Sequence, residues 1–379
     1  MTEQAFVRDG MSGAGEVLAV LEGHVVADAV VHPYNLAPKN RNPRATEQLD
    51  AVYAAHVMAT GENPEHVLTR EEFFTDFSFD AMARSLFVES ATDFAVLHAL
   101  PNLGFANSFV TAPERAAAYR DLHPGRFAFY ATIDTHVVAD AIRDLEFQVR
   151  EFGVDGLKLY PAFFYDDLAE GWRLDGSDFA TPVLEAAREL GIRNVAVHKT
   201  LWLPPAPKEA FDLDDVSGAL DRFADLNFFL VHAGAAFIDR TAELLRRHPN
   251  LHATMETTFA YLVVRPEVFA SVLARFLGAC GSSRLLYGSG SNLSHPDLLL
   301  RAFENYELPP EALEKYGCPQ VTAPDRAAIL GGNALRLHGR TSEGVLADTA
   351  GDAFETERAA GGAPPWSGVR SPAASGATA

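Results

Sequence analysis

Six side chains of the kinds that bind metals or move protons stand at or just beyond the ends of short apolar runs. His32 closes "HVVADAVVH" (24–32), Lys158 lies in "VDGLKLY" (154–160), His198 in "RNVAVHK" (193–199) and His232 in "NFFLVHAG" (227–234). Glu256 lies in "LHATMETT" (251–258), and His295 follows in "SNLSHP". If the runs are strands, alternation puts Asp28, Val30 and His32 on one face, Lys158 with Tyr160, Ala196 with His198, Leu230 with His232, and Thr254 with Glu256. A lone terminal histidine is most often a structural hydrogen bonder. Several imidazoles and a carboxylate at equivalent ends form a donor set that suits zinc, iron or manganese. The candidate metal ligands are therefore His32, His198, His232, Glu256 and His295, and the candidate catalytic groups are Lys158 and Glu256.

Other residues are left open. Lys158 is either a buried lysine paired with a carboxylate or a catalytic acid, and a charged lysine in an interior needs a partner in both cases. Lys199 should face away from His198 and read as structural. Asp28, His98 and Asn292 have no assigned part, and Asp134 and His136 could equally cap the helix that follows them. With Asn292 or Ser294 as the cap of the next helix, the His295 ring is left to turn toward the other imidazoles.

The positioning elements follow from the spacing. Eight apolar runs (24–32, 93–101, 126–134, 154–160, 193–199, 227–234, 251–258 and 284–291) alternate with longer amphipathic stretches, the pattern of repeated βα units. Eight parallel strands of this kind predict a TIM barrel with its site at the C-terminal strand ends. Residues 1–23 form an N-terminal extension and 24–340 the barrel, with a helical cap at 33–89. Residues 341–379, rich in Gly, Ala, Ser and Pro, read as a disordered tail.

The bulk numbers exclude several classes. The 379 residues are 48% apolar and 22% charged, enough for one large core. A net charge of −20 without any basic run argues against nucleic acid and anionic membranes. No stretch reaches the roughly 18 apolar residues of a membrane span, and no signal peptide opens the chain, so a cytoplasmic location is expected. Two cysteines, Cys280 and Cys318, provide neither a disulfide framework nor a cysteine zinc site.

In order along the chain, "DAVVH", "GVDGLKLYP", "NVAVHK", "FFLVHAG", "LLYGSGS" and "ILGGNALRLHG" resemble the amidohydrolase-related TIM barrels over about 25–339. The resemblance places the family's first-strand histidine pair on Val30 and His32, its strand-five and strand-six histidines on His198 and His232, and its strand-eight aspartate on Gly290. Two family positions thus lack their donor. With Glu256 and His295 added, the set resembles that of the TIM-barrel nonheme diiron monooxygenases of platensimycin and platencin biosynthesis. That resemblance implies two iron ions, O2 and an electron donor, and hydroxylation of a large apolar, CoA-linked acyl substrate in secondary or terpenoid metabolism. Lys39, Arg41 and Arg44 would then meet nucleotide phosphates, and Phe73, Phe74, Phe163, Phe164 and Trp202 would line the pocket. The alternative is a mononuclear zinc or manganese amidohydrolase or decarboxylase of a small carboxylic acid. A non-enzymatic acid-binding barrel is a third reading. The oligomeric state is left open.

Overall fold

A computed structural model describes residues 24–165 and 168–370. Its strands are β1 (Ala27–Val31), β2 (Phe94–His98), β3 (Phe127–Thr132), β4 (Gly156–Leu159), β5 (Ala162–Tyr165), β6 (Leu168–Gly171), β7 (Asn194–His198), β8 (Asn227–Val231), β9 (Leu251–Thr254) and β10 (Leu285–Leu286). Eight of them form one parallel sheet in the order β1-β2-β3-β4-β7-β8-β9-β10, while β5 and β6 pair antiparallel apart from it. The sheet closes because Ala29 N–H donates to Tyr287 O (3.0 Å) and His32 N–H to Ser291 O (2.8 Å), across a parallel bridge between Val31 and Ser291. The fold is the expected α/β barrel.

The strand sequences explain their position. "FAVLH", "FAFYAT" and "NVAVH" are buried along their whole length, as strands covered on both faces require. Val96, Tyr130, Ala196 and Phe229 pack with Leu286 in one cluster that continues onto Ala334 and Leu335 of the "GGNALRL" segment. Gly331 in that segment lies so close to the start of β1 that a Cβ there would come within 1.8 Å of Val25 O. Only glycine lets the segment dock.

Two expectations change here. The connection after β1 holds the helices Thr46–Ala59, Arg70–Phe73 and Phe79–Phe87. Thr46–Ala59 forms part of the wall over the strand ends, whereas Phe79–Phe87 packs against the helix Ser367–Arg370. The predicted disordered tail is the second change. Residues 342–349, 353–359 and 367–370 are helical, and Trp366 is buried, its indole N–H donating to His66 O at 2.7 Å. Glu89 accepts from Trp366 N (2.8 Å) and Ser367 Oγ (2.5 Å), and Arg126 forks onto Asp352. These long-range polar contacts hold down a segment whose composition has little apolar content of its own. The expected N-terminal extension, 1–23, and residues 371–379 lie outside the described residues. No helix among the described residues is long and apolar enough to cross a membrane.

Candidate active site

His32, Lys158, His198 and His232 all line one cavity of about 220 Å³ at the C-terminal ends of the strands, together with Tyr34 and Tyr160. The rest of its wall is largely apolar, with Val52 and Ala55 from the helix Thr46–Ala59, then Leu103, Phe105, Leu203 and Leu293. His32 stacks on Tyr34 (4.9 Å between ring centres) and His198 on Tyr160 (4.7 Å). Each pairing puts an aromatic ring behind an imidazole and limits how it can turn.

The two histidines after β7 and β8 are the most constrained. His198 Nε2 is 2.8 Å from Leu201 O, and because a carbonyl only accepts, that nitrogen carries the proton. His198 Nδ1 is then a bare lone pair, and it faces His232 Nε2 at 2.9 Å. His232 itself has φ +64°, a left-handed conformation that costs a non-glycine residue on the order of 1–3 kcal/mol. Polar contacts hold it there: its N–H donates to Glu256 Oε2 (3.2 Å) and its carbonyl accepts from Thr200 Oγ1 (2.6 Å). The far nitrogen, Nδ1, lies 2.7 Å from Thr257 Oγ1 and 2.6 Å from Glu256 Oε1. The Glu256 contact is out of line for a hydrogen bond, so Oε1 is buried with no hydrogen-bond partner of its own.

Glu256 does not end a strand. β9 stops at Thr254, and Glu256 is the first residue of the helix Glu256–Val264. The turn into that helix places its carboxylate behind His232. Burial pushes this carboxyl up, but His232 and Lys158 together hold it below the usual range. Burial, reinforced by Lys158, pushes His32 down to about 3, and burial with His232 and Lys158 pushes His198 well below its ordinary value. Both rings are neutral at pH 7, with lone pairs to offer. Lys158 is pushed down to about 7 by burial, which Glu256 only partly opposes.

His295 is not part of this group. It caps the helix Pro296–Glu304, its Nδ1 accepting from Asp297 N, and its Nε2 pairs with Glu89 at 3.0 Å, both side chains fully buried. A glutamate distant in sequence, against Trp366, turned it from the cavity. Asp28 lies beside a register shift between Asp28 and Val31, so strict alternation does not carry through β1. Its carboxylate accepts from Ser289 N and Val30 N. Glycine occupies position 290, where a Cβ would meet Glu256 Cγ at 3.5 Å. His98 Nε2 bonds Ala29 O below the cavity, Asp134 accepts from Asn102, and Asn292 Oδ1 accepts from Tyr34 N. Lys199 points away and is held by Asp215 and Ala210 O. Among the five aromatics expected at the pocket, Trp202 lines this cavity and Phe164 an adjoining one, while Phe73, Phe74 and Phe163 are core. Lys39, Arg41 and Arg44 do not line it. Sequence reasoning missed Tyr34, Thr200 and Thr257; the signal for Tyr34 was its place two residues after His32, the same step as Lys158 to Tyr160.

The donors fit a divalent ion by their chemistry. His198 and His232 each have one nitrogen backed by an oxygen acceptor, the arrangement that orients histidine ligands, and their other nitrogens face each other at a separation close to that of neighbouring donors on one ion. His32 Nδ1 and Glu256 Oε1 are buried without hydrogen-bond partners among the described residues. Among the described residues no three His, Cys, Asp or Glu side chains already converge on one point. The fit therefore rests on the His198–His232 pair, with His32 across the cavity and Glu256 behind His232.

A family model described as amidohydrolase matches residues 27–340. No curated protein matches the sequence at a significant level. Solved structures share the fold. An uncharacterized TIM-barrel protein of Bordetella bronchiseptica, 17% identical, aligns over 83% of this chain and 99% of its own with a TM-score of 0.59. The 5-carboxyvanillate decarboxylase LigW of Sphingomonas paucimobilis is 15% identical over 84% of this chain and 99% of its own, with a TM-score of 0.53. A dihydroxybenzoic acid decarboxylase of a Polaromonas species, solved with bound manganese and 2-nitroresorcinol, is 15% identical over 83% of this chain and 97% of its own, with a TM-score of 0.52.

These findings correct the diiron reading. The structural relatives named here include decarboxylases, one solved with manganese, and no oxygenase. With His295 locked to Glu89, one of the five expected ligands is withdrawn from the cavity. A monooxygenase of antibiotic or terpenoid metabolism is thereby set aside. The cavity, at about 220 Å³, is smaller than the roughly 300–1,000 Å³ of sites for drug-sized ligands.

Proposed function

The chain belongs to the amidohydrolase family, and on that premise we propose that it is a metal-dependent enzyme that hydrolyses or decarboxylates a small, largely apolar carboxylic acid. The observation that carries this reading is the His198–His232 pair. Two imidazoles in a strained and heavily supported arrangement face one cavity with their remaining nitrogens pointed at each other. His198 Nδ1 and His232 Nε2 would hold one divalent ion, manganese or zinc, with His32 as the third donor from across the cavity. When bound, the ion supplies Lewis-acid polarisation of a substrate oxygen.

The remaining groups act on the ligands and on the substrate. Glu256 and Thr257 fix the ring of His232 from behind, so Glu256 is a positioning residue in this reading. Leu201 O does the same for His198, and Tyr160 stacks against its ring. The helix Thr46–Ala59 and Leu103, Phe105 and Leu293 give the reacting centre an apolar wall.

The test is turnover by manganese- or zinc-loaded protein of a panel of hydroxybenzoates and aryl esters or lactones, with and without oxygen. Turnover under strict anaerobiosis, lost by 100-fold or more in H198A and H232A, is expected. Turnover that requires oxygen, or that survives both substitutions, overturns the reading.

A further inference from the structure

Lys158 and Lys199 are both fully buried, and the contrast between them is informative. The Lys199 ammonium is matched by Asp215, at 2.7 and 2.8 Å, and by Ala210 O at 2.7 Å. Lys158 is 1% exposed yet among the described residues has neither a hydrogen-bond acceptor nor an ion pair; its ammonium stands over the face of Tyr160, 5.2 Å from the ring centre, and Glu256 acts on it only from beyond contact distance. A buried ammonium with no counterion in direct contact is costly for a folded protein. Such a group, opening on a cavity, is set up for an anion from outside the chain.

Two more donors line the same cavity. Neither the Tyr34 nor the Tyr160 hydroxyl has a hydrogen-bond partner among the described residues, and both rings are pinned, Tyr34 against His32 and Tyr160 against His198. Lys158 is the one lysine or arginine among the residues lining the cavity, so in the metal-free protein the side chains supply fixed charge for one anionic group and none for a second. The apolar wall and the volume limit the rest of the ligand. A closed cavity of about 150 Å³ holds a benzene ring, and the cavity here, at about 220 Å³, matches one ring with a carboxylate.

We infer that Lys158, with the hydroxyls of Tyr34 and Tyr160, is a carboxylate-anchoring site that restricts this cavity to single-ring or similarly small apolar monoacids. The inference deepens the functional reading and rests on it for the claim that the bound acid is a substrate. The anchoring itself needs neither metal nor turnover, so the two can fail separately.

The test is titration calorimetry on the metal-free full chain with benzoate, benzamide, isophthalate and inorganic phosphate. Benzoate should bind at least 10-fold more tightly than benzamide, its uncharged near-isostere, and at least 10-fold more tightly than isophthalate or phosphate. K158M should lose 10-fold or more in benzoate affinity, and Y34F and Y160F should each lose a few-fold. Equal binding of benzoate and benzamide in the unmodified protein overturns the inference without recourse to any variant. Tighter binding of isophthalate or phosphate than of benzoate, or full benzoate affinity in K158M, overturns it as well.

Discussion

At the scale of single residues, the site is governed by where protons must sit. Leu201 O requires a proton on His198 Nε2, which leaves Nδ1 to accept from His232 Nε2. The second nitrogen of His232 then lies against the Glu256 carboxylate. A cation in place of the shared proton satisfies every one of these groups, and E256Q should accordingly weaken metal binding by about 10- to 100-fold, the usual effect of removing a ligand's supporting carboxylate. Competition with a metallochromic chelator measures it; unchanged affinity would mean that Glu256 does not position His232. Asp28 carries a separate prediction. Burial, with a smaller push from Glu256, raises its carboxyl to about 7 against backbone donors that favour the charge. A group raised in the folded state gives stability that is complete below the unfolded value near 4 and is lost as pH climbs through 7. At about 1.4 kcal/mol per unit, this amounts to up to about 4 kcal/mol. Urea unfolding at pH 5 and pH 8 should show the wild type losing stability across that window and D28N losing much less; parallel losses would contradict the assignment.

At the scale of elements, the C-terminal segment carries the clearest prediction. Trp366 is buried against His295, His56 and Phe77, and Glu89 joins it to His295. W366A should cost about 3–5 kcal/mol, typical of a large buried aromatic, measurable as a shift in denaturation midpoint. A loss under 1 kcal/mol would mean that the segment is not docked. Its sequence gave no sign of this, because Arg126–Asp352, Arg84–Glu357 and Arg358–Asp93 join residues more than two hundred positions apart. The eight barrel strands were legible, since each is a short apolar run set by its neighbours in sequence. The β5–β6 hairpin was not, because "AFFY" and "LAEG" are too short for periodicity to register. Glu256 was found by alternation, although the chain had already turned into a helix, and His295 was misplaced because its partner, Glu89, lies over two hundred residues away.

At the scale of the whole molecule, a closed barrel brings four strand ends and one connecting helix around a single small cavity, with one cation and three imidazoles in its wall. The family and the barrel were readable from the order of weak motifs, whereas metal number depended on which side chains turn inward, a property of loops and caps. The most direct measurement is anomalous diffraction from crystals of the manganese-loaded protein. One ion per chain, bound between His198 Nδ1 and His232 Nε2, is the predicted result; two ions in the cavity, or none in contact with that pair, would contradict the account.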